Sequence, residues 1–167
     1  SKAYAKIYVE AKPEIAPAGA ESHQGAKIAR SYKRINDKGE AEPLTHPRVG
    51  DLVQVDLTVT FPKALYYVAI DDALPSIMET VNNDFATQKS RVQDPSQRNW
   101  NINRRELRSN RALFCLNLSW RKGPQTISYR ARRTSAGTVH APPAKVEAMY
   151  DPSMYALTEP SVITSEK

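Results

Sequence analysis

The stretch from Leu52 to Phe61 constrains this chain more than any other. Val53, Val55, Leu57, Val59 and Phe61 alternate strictly with Gln54, Asp56, Thr58 and Thr60. Successive side chains of an extended strand point to opposite faces, so a period of two gathers the apolar set on one side and the polar set on the other. A helix would scatter the same residues around its circumference. Gly50-Asp51 signals a turn before the stretch and Pro62 stops it. Fully burying each apolar side chain stabilises the fold by about 1.5–3 kcal/mol. A strand with one such face has to set it against another layer.

Other segments repeat the pattern. Leu65–Ile70 reads as a strand after a short Pro62-Lys63 turn, and is expected to form a hairpin with Leu52–Phe61. Asp71-Asp72-Ala73-Leu74-Pro75 is expected to end it in a turn. Leu113–Trp120 places Phe114, Leu116, Leu118 and Trp120 on one face. Gln125–Arg132 places Ile127, Tyr129 and Ala131 inward. Lys27–Ile35, Thr138–Ala141 and Tyr4–Val9 are shorter candidates. Ser76–Val81 reads as one helical turn, and Asn82–Asn99 as a long loop around Pro95. Twelve prolines against six glycines agree with many connections and no long helix. Seven or eight short strands joined by turns imply an all-β, antiparallel β-sandwich. Residues 1–155 read as a single sandwich domain, with residues 13–25 a polar connector. Residues 156–167 lack a periodic pattern and are expected to fray as a poorly ordered tail.

No apolar run reaches the length that spans a bilayer as a helix. The chain starts Ser1-Lys2-Ala3-Tyr4, without an initiator Met or a secretory signal, and reads as a piece of a longer protein. The net charge of +6 raises the question of an anionic partner. The densest basic stretch, Arg104–Arg111, carries four arginines and one glutamate and reads as a solvated strand face. Nucleic acid is not expected as a partner.

Catalysis needs a constellation that this sequence does not spell out. No Gly-x-Ser-x-Gly elbow occurs. Cys115 lies between Phe114 and Leu116, and reads as a buried, inert thiol. With one cysteine, no internal disulfide can form. His23, His46 and His140 have no ligand at a metal-binding spacing. Asp71 and Asp72, as strand neighbours, point apart and read as turn or capping residues. No enzyme activity, metal or cofactor is expected.

Several segments carry a pattern. Val49 to Val59 is followed by Tyr67-Val68-Ala69-Ile70-Asp71-Asp72-Ala73-Leu74-Pro75 and by Glu79-Thr80-Val81-Asn82. Further on come Arg105-Glu106-Leu107-Arg108, Tyr129 to Val139, and Pro142-Pro143-Ala144-Lys145-Val146-Glu147-Ala148-Met149-Tyr150-Asp151-Pro152. Over roughly residues 30–155 the chain resembles the C-terminal domain of bacterial α2-macroglobulin-like proteins, the counterpart of the animal receptor-binding domain. One departure is Ser76-Ile77, where the family usually has a glycine soon after Leu-Pro.

The resemblance implies a macroglobulin-type, immunoglobulin-like sandwich inside a protease-trapping parent. It implies a non-catalytic interaction domain that packs on and shields the parent's thioester domain. Target proteases would be met through the parent, not by this domain. The isolated domain would be a monomer. The parent would be exported to the periplasm or cell surface, with a lipid anchor in many members. The rival reading is a generic adhesion or carbohydrate-binding sandwich. Met149 and Tyr150 either cap the core or, with Tyr155, form the interdomain contact. A ring with a polar tip suits a surface that is dry at one end and wet at the other.

Overall fold

The computed structural model describes residues 20–81, 102–118 and 123–167. The readings placed on Tyr4–Val9, on most of residues 13–25, on Asn82–Asn99 and on Trp120 lie outside these. The described residues form thirteen strands and no helix: β1 (Glu21–Ser22), β2 (Lys27–Ile35), β3 (Ala41–Pro43), β4 (Leu52–Thr60), β5 (Val68–Ala73), β6 (Met78–Thr80), β7 (Ile102–Arg108), β8 (Arg111–Leu116), β9 (Gln125–Arg133), β10 (Gly137–Ala141), β11 (Lys145–Ala148), β12 (Asp151–Leu157) and β13 (Ser161–Ser165).

They make a six-stranded sheet in the order β1-β12-β11-β5-β8-β7 and a five-stranded sheet in the order β3-β2-β4-β9-β6. β10 and β13 form a separate two-stranded ribbon. Every strand pair is antiparallel. The two large sheets close over one core, in which Val53, Val55, Leu57, Val59, Ile127 and Tyr129 meet Val68, Ile70, Phe114, Leu116, Val146 and Ala156. The period-two reading of Leu52–Phe61 holds: its odd-numbered residues are all buried. The chain is an all-β antiparallel sandwich.

The expected hairpin between Leu52–Phe61 and Leu65–Ile70 does not form. β4 is flanked by β2 and β9, while β5 is flanked by β11 and β8 in the other sheet. Each strand has one thoroughly apolar face, and the two bury those faces across the core rather than lying side by side. Residues 61–67 carry the chain between the layers.

Ser76–Val81 is not a helical turn. Met78 N–H bonds to Pro75 O at 2.9 Å, and the chain then enters β6 against β9. Neither Ser76 nor Ile77 has a positive φ, so this turn does not need the family's glycine. By contrast Gly50, at φ +91°, sits in the left-handed region just ahead of β4.

Residues 156–167 do not fray. Ala156 and Leu157 complete β12, and β13 pairs with β10 from Gly137↔Ser165 to Ala141↔Ser161. Thr158 and Ser165 are buried alongside Ile163. These small polar residues at inward positions hide the period that an apolar pair would have displayed.

Asp71-Asp72 continues β5 and does not turn. Because Val68 and Ile70 face the core, period two sends Asp72 there too, and it is fully buried. Arg30 Nη1 donates to Asp72 Oδ1 at 2.6 Å and Arg30 Nη2 to Pro142 O at 2.7 Å. The Tyr129 hydroxyl donates to Asp72 Oδ2. Burial raises the Asp72 carboxyl above its ordinary range, against the pull of Arg30 and Tyr129.

Candidate interdomain surface

β11 ends at Ala148, Met149 and Tyr150 make a two-residue turn, and β12 begins at Asp151. Pairing slips between Glu147 and Ala148, which opposes Asp151. Such a bulge increases local twist and re-aims the side chains near it. Met149 is 50% exposed and Tyr150 83% exposed, so neither caps the core.

The turn lies beside the chain entering β5. Met149 N–H bonds to Tyr67 O at 3.0 Å. The rings of Tyr67 and Tyr150 meet edge to face, 5.3 Å apart and inclined at 79°. Tyr66 is exposed next to them. Four large side chains with apolar bodies thus crowd one end of the sandwich. Below them the turn is fastened: Asp151 accepts a bond from Ser153 at 2.6 Å and lies 3.7 Å from Lys63 Nζ. An exposed cluster of this kind marks a contact surface more often than isolated apolar residues do.

Tyr155 is not part of it. It sits in β12 opposite Glu147, with its ring stacked on His23 at a centroid distance of 4.2 Å. Lys145 Nζ lies 5.8 Å from the same ring. Several residues of extended chain separate it from the turn. Tyr66 and Tyr67 are the members that sequence reasoning missed. The available signal was that Val68 and Ile70 begin an inward series, leaving the two tyrosines before the strand without a place in the core.

The remaining candidates resolve individually. Cys115 is not in the core. Phe114 and Leu116 face inward, so the residue between them faces out, and Cys115 is half-buried on the outer side of the six-stranded sheet. It lines a depression of about 360 Å³ with Ala69, Asp71, Arg104, Glu106 and Glu147. His46 and His140 are exposed. Among the described residues no His, Cys, Asp and Glu side chains gather as metal ligands would. The arginines of β7 and β8 are matched locally. Arg108 bonds Glu106 at 2.6 Å, Arg104 lies 3.7 Å from the same carboxylate, and Arg111 lies 3.3 Å from Asp71.

Residues 25–153 match the family described as the bacterial alpha-2-macroglobulin MG10 domain. An alpha-2-macroglobulin homolog from Nostoc is 25% identical over 153 residues, which is 86% of this chain but 8% of that protein. Among solved structures, the native E. coli alpha-2-macroglobulin from domain MG7 to the C-terminus superposes with a TM-score of 0.72 at 23% identity, covering 93% of this chain and 25% of that one. Salmonella alpha-2-macroglobulin reacted with methylamine gives 0.71 at 28% identity, over 93% of this chain and 10% of that one. The E. coli protein activated by trypsin gives 0.76 at 24% identity, over 93% and 11%. This chain therefore spans a small part of the proteins it matches, and it belongs to the bacterial alpha-2-macroglobulin MG10 domain family.

Proposed function

We propose that this chain is the C-terminal, receptor-binding-domain-like domain of a bacterial protease-trapping macroglobulin. In this reading it docks on the thioester domain of its parent through the tip formed by Tyr66, Tyr67, Met149 and Tyr150. The observation that carries it is the exposure of Tyr150 together with its edge-to-face contact on Tyr67. Rings held rigid but left uncovered supply contact area at low entropic cost when a partner arrives. A thioester survives only where water is excluded, and such a cluster excludes water better than small residues.

The domain's role in this reading is positional and non-catalytic. Proteases would be engaged by the parent. The E. coli relative is described as activated by trypsin and the Salmonella relative as reacted with methylamine, as expected of a parent with a reactive acyl group. Export to the periplasm or cell surface, with or without a lipid anchor, would belong to that parent. Local pairing of the β7 and β8 arginines with Glu106 and Asp71 leaves little basic surface for nucleic acid and favours a protein partner.

The test is Tyr150→Ala in the full-length parent, with amine uptake measured before any cleavage. Faster uptake with an unchanged melting temperature of the domain supports docking. Unchanged uptake overturns it.

A further inference from the structure

The seam between β2 and the β10–β13 ribbon holds donors without acceptors. The Tyr32 hydroxyl, Arg133 Nε and the Ser165 hydroxyl are buried there with no hydrogen-bond partner. Tyr32 and Arg133 line one cavity of about 280 Å³, together with Leu44, Ser161 and Thr164. Arg133 is 1% exposed, yet its one direct side-chain bond is from Nη1 to Thr164 O at 2.7 Å. That bond leaves the edge formed by Nε–H and Nη2 open.

Charge bookkeeping around the seam is unequal. Arg30 is neutralised by Asp72 at 2.6 Å and Arg34 lies 3.6 Å from Asp51. Among the described residues no carboxylate lies within 4.0 Å of Arg133. A buried cation without a bonded anion is costly, and buried polar groups in native proteins have partners. Burial lowers the Arg133 pKa, opposed by the charge of Asp51 and by Tyr32.

We infer that this cavity binds a carboxylate. The open Nε–Nη2 edge offers two parallel donors, which match the two oxygens of one planar carboxylate. The Tyr32 hydroxyl adds a third donor. A single negative charge balances the one guanidinium left over, whereas a phosphate dianion would overshoot it. Leu44 and Ile163 give the aliphatic part of a small acid an apolar wall.

The experiment follows the Arg133 Nε–H resonance of this chain during titration with sodium acetate, with sodium chloride and inorganic phosphate at the same ionic strength as parallel arms. Acetate should produce a saturable shift, and chloride should not. Tyr32→Phe removes one donor and keeps the ring, and should weaken acetate binding by about tenfold. A linear response, an equal response to chloride, or an unchanged affinity in Tyr32→Phe would show that ordered water alone fills the cavity. Saturation by phosphate without acetate would overturn the carboxylate assignment.

Discussion

Tyr129, in the centre of the five-stranded sheet, donates its hydroxyl proton across the core to Asp72 of the six-stranded sheet at 2.7 Å. The same carboxylate holds Arg30, whose side chain is 3% exposed. One acid therefore joins three strands from both layers, β2, β5 and β9. Removing its charge leaves the Arg30 guanidinium buried and uncompensated. Asp72→Asn is expected to cost about 3–5 kcal/mol of stability in urea unfolding. The double change Asp72→Leu with Arg30→Met should lose less than the single one, because both charges leave together. Equal losses would show that the pair matters only through its volume.

Asp56 points to the other side of its sheet and behaves differently. Burial pushes its carboxyl up, but bonds from Lys33, Ser128 and Gln54 outweigh that, and the folded pKa lies below the ordinary value. The unfolded acid titrates near about 3.9. Its contribution is therefore complete above that pH and is lost as pH falls through the folded value. Between pH 5 and pH 2 the stability gap between wild type and Asp56→Asn should shrink. A gap that stays constant over this range would remove Asp56 from the acid sensitivity of the fold.

Cys115 should react with a small thiol reagent in the native state. It lies half-buried on an outer sheet face, beside a depression open to reagent. Labelling is expected to proceed without denaturant, more slowly than for a thiol in an unfolded peptide. Silence until urea is added would place the sulfur in the core after all.

Cutting the chain after Thr158 should destabilise it by roughly 3 kcal/mol, the scale of uncovering one large aliphatic side chain and its neighbours. β13 contributes Ile163 to the core and is the only partner of β10 among the described residues. Urea unfolding of the truncated and intact chains measures this. An unchanged midpoint would make the last strand dispensable.

Tyr150→Ala, by contrast, should change the stability of this chain by no more than about 0.5 kcal/mol, because the ring is mostly in solvent. A larger loss in thermal unfolding would assign the Tyr67–Tyr150 contact to folding rather than to docking.

Alternation made much of this sandwich legible. Val53 to Val59, Phe114 to Leu116 and Ile127 to Ala131 each announced their inward side. The same rule, applied one residue further, would have sent Asp72 inward after Ile70 and Cys115 outward between Phe114 and Leu116. Residue character had been weighed above parity, which is why a charged group in the core and a thiol outside it were both missed. Which strands lie side by side was beyond periodicity, since a strand's apolar face records that it is covered and not by what. Met149 and Tyr150 were found through a motif. Tyr66 and Tyr67 joined them only through strand neighbours distant in sequence. Tyr155 shares their chemistry but is turned toward His23.

The edge of the six-stranded sheet has a consequence for how the molecule is made. β1 is held by β12, and Gln24 bonds Ser153 across a separation of 129 residues. At about 5–20 residues per second on the ribosome, the first strand waits on the order of ten seconds for its neighbour to be synthesised. During that interval its side of the sheet has no partner of its own. Order in this layer cannot spread from the beginning of the chain as it emerges; it has to arrive late and nearly all at once.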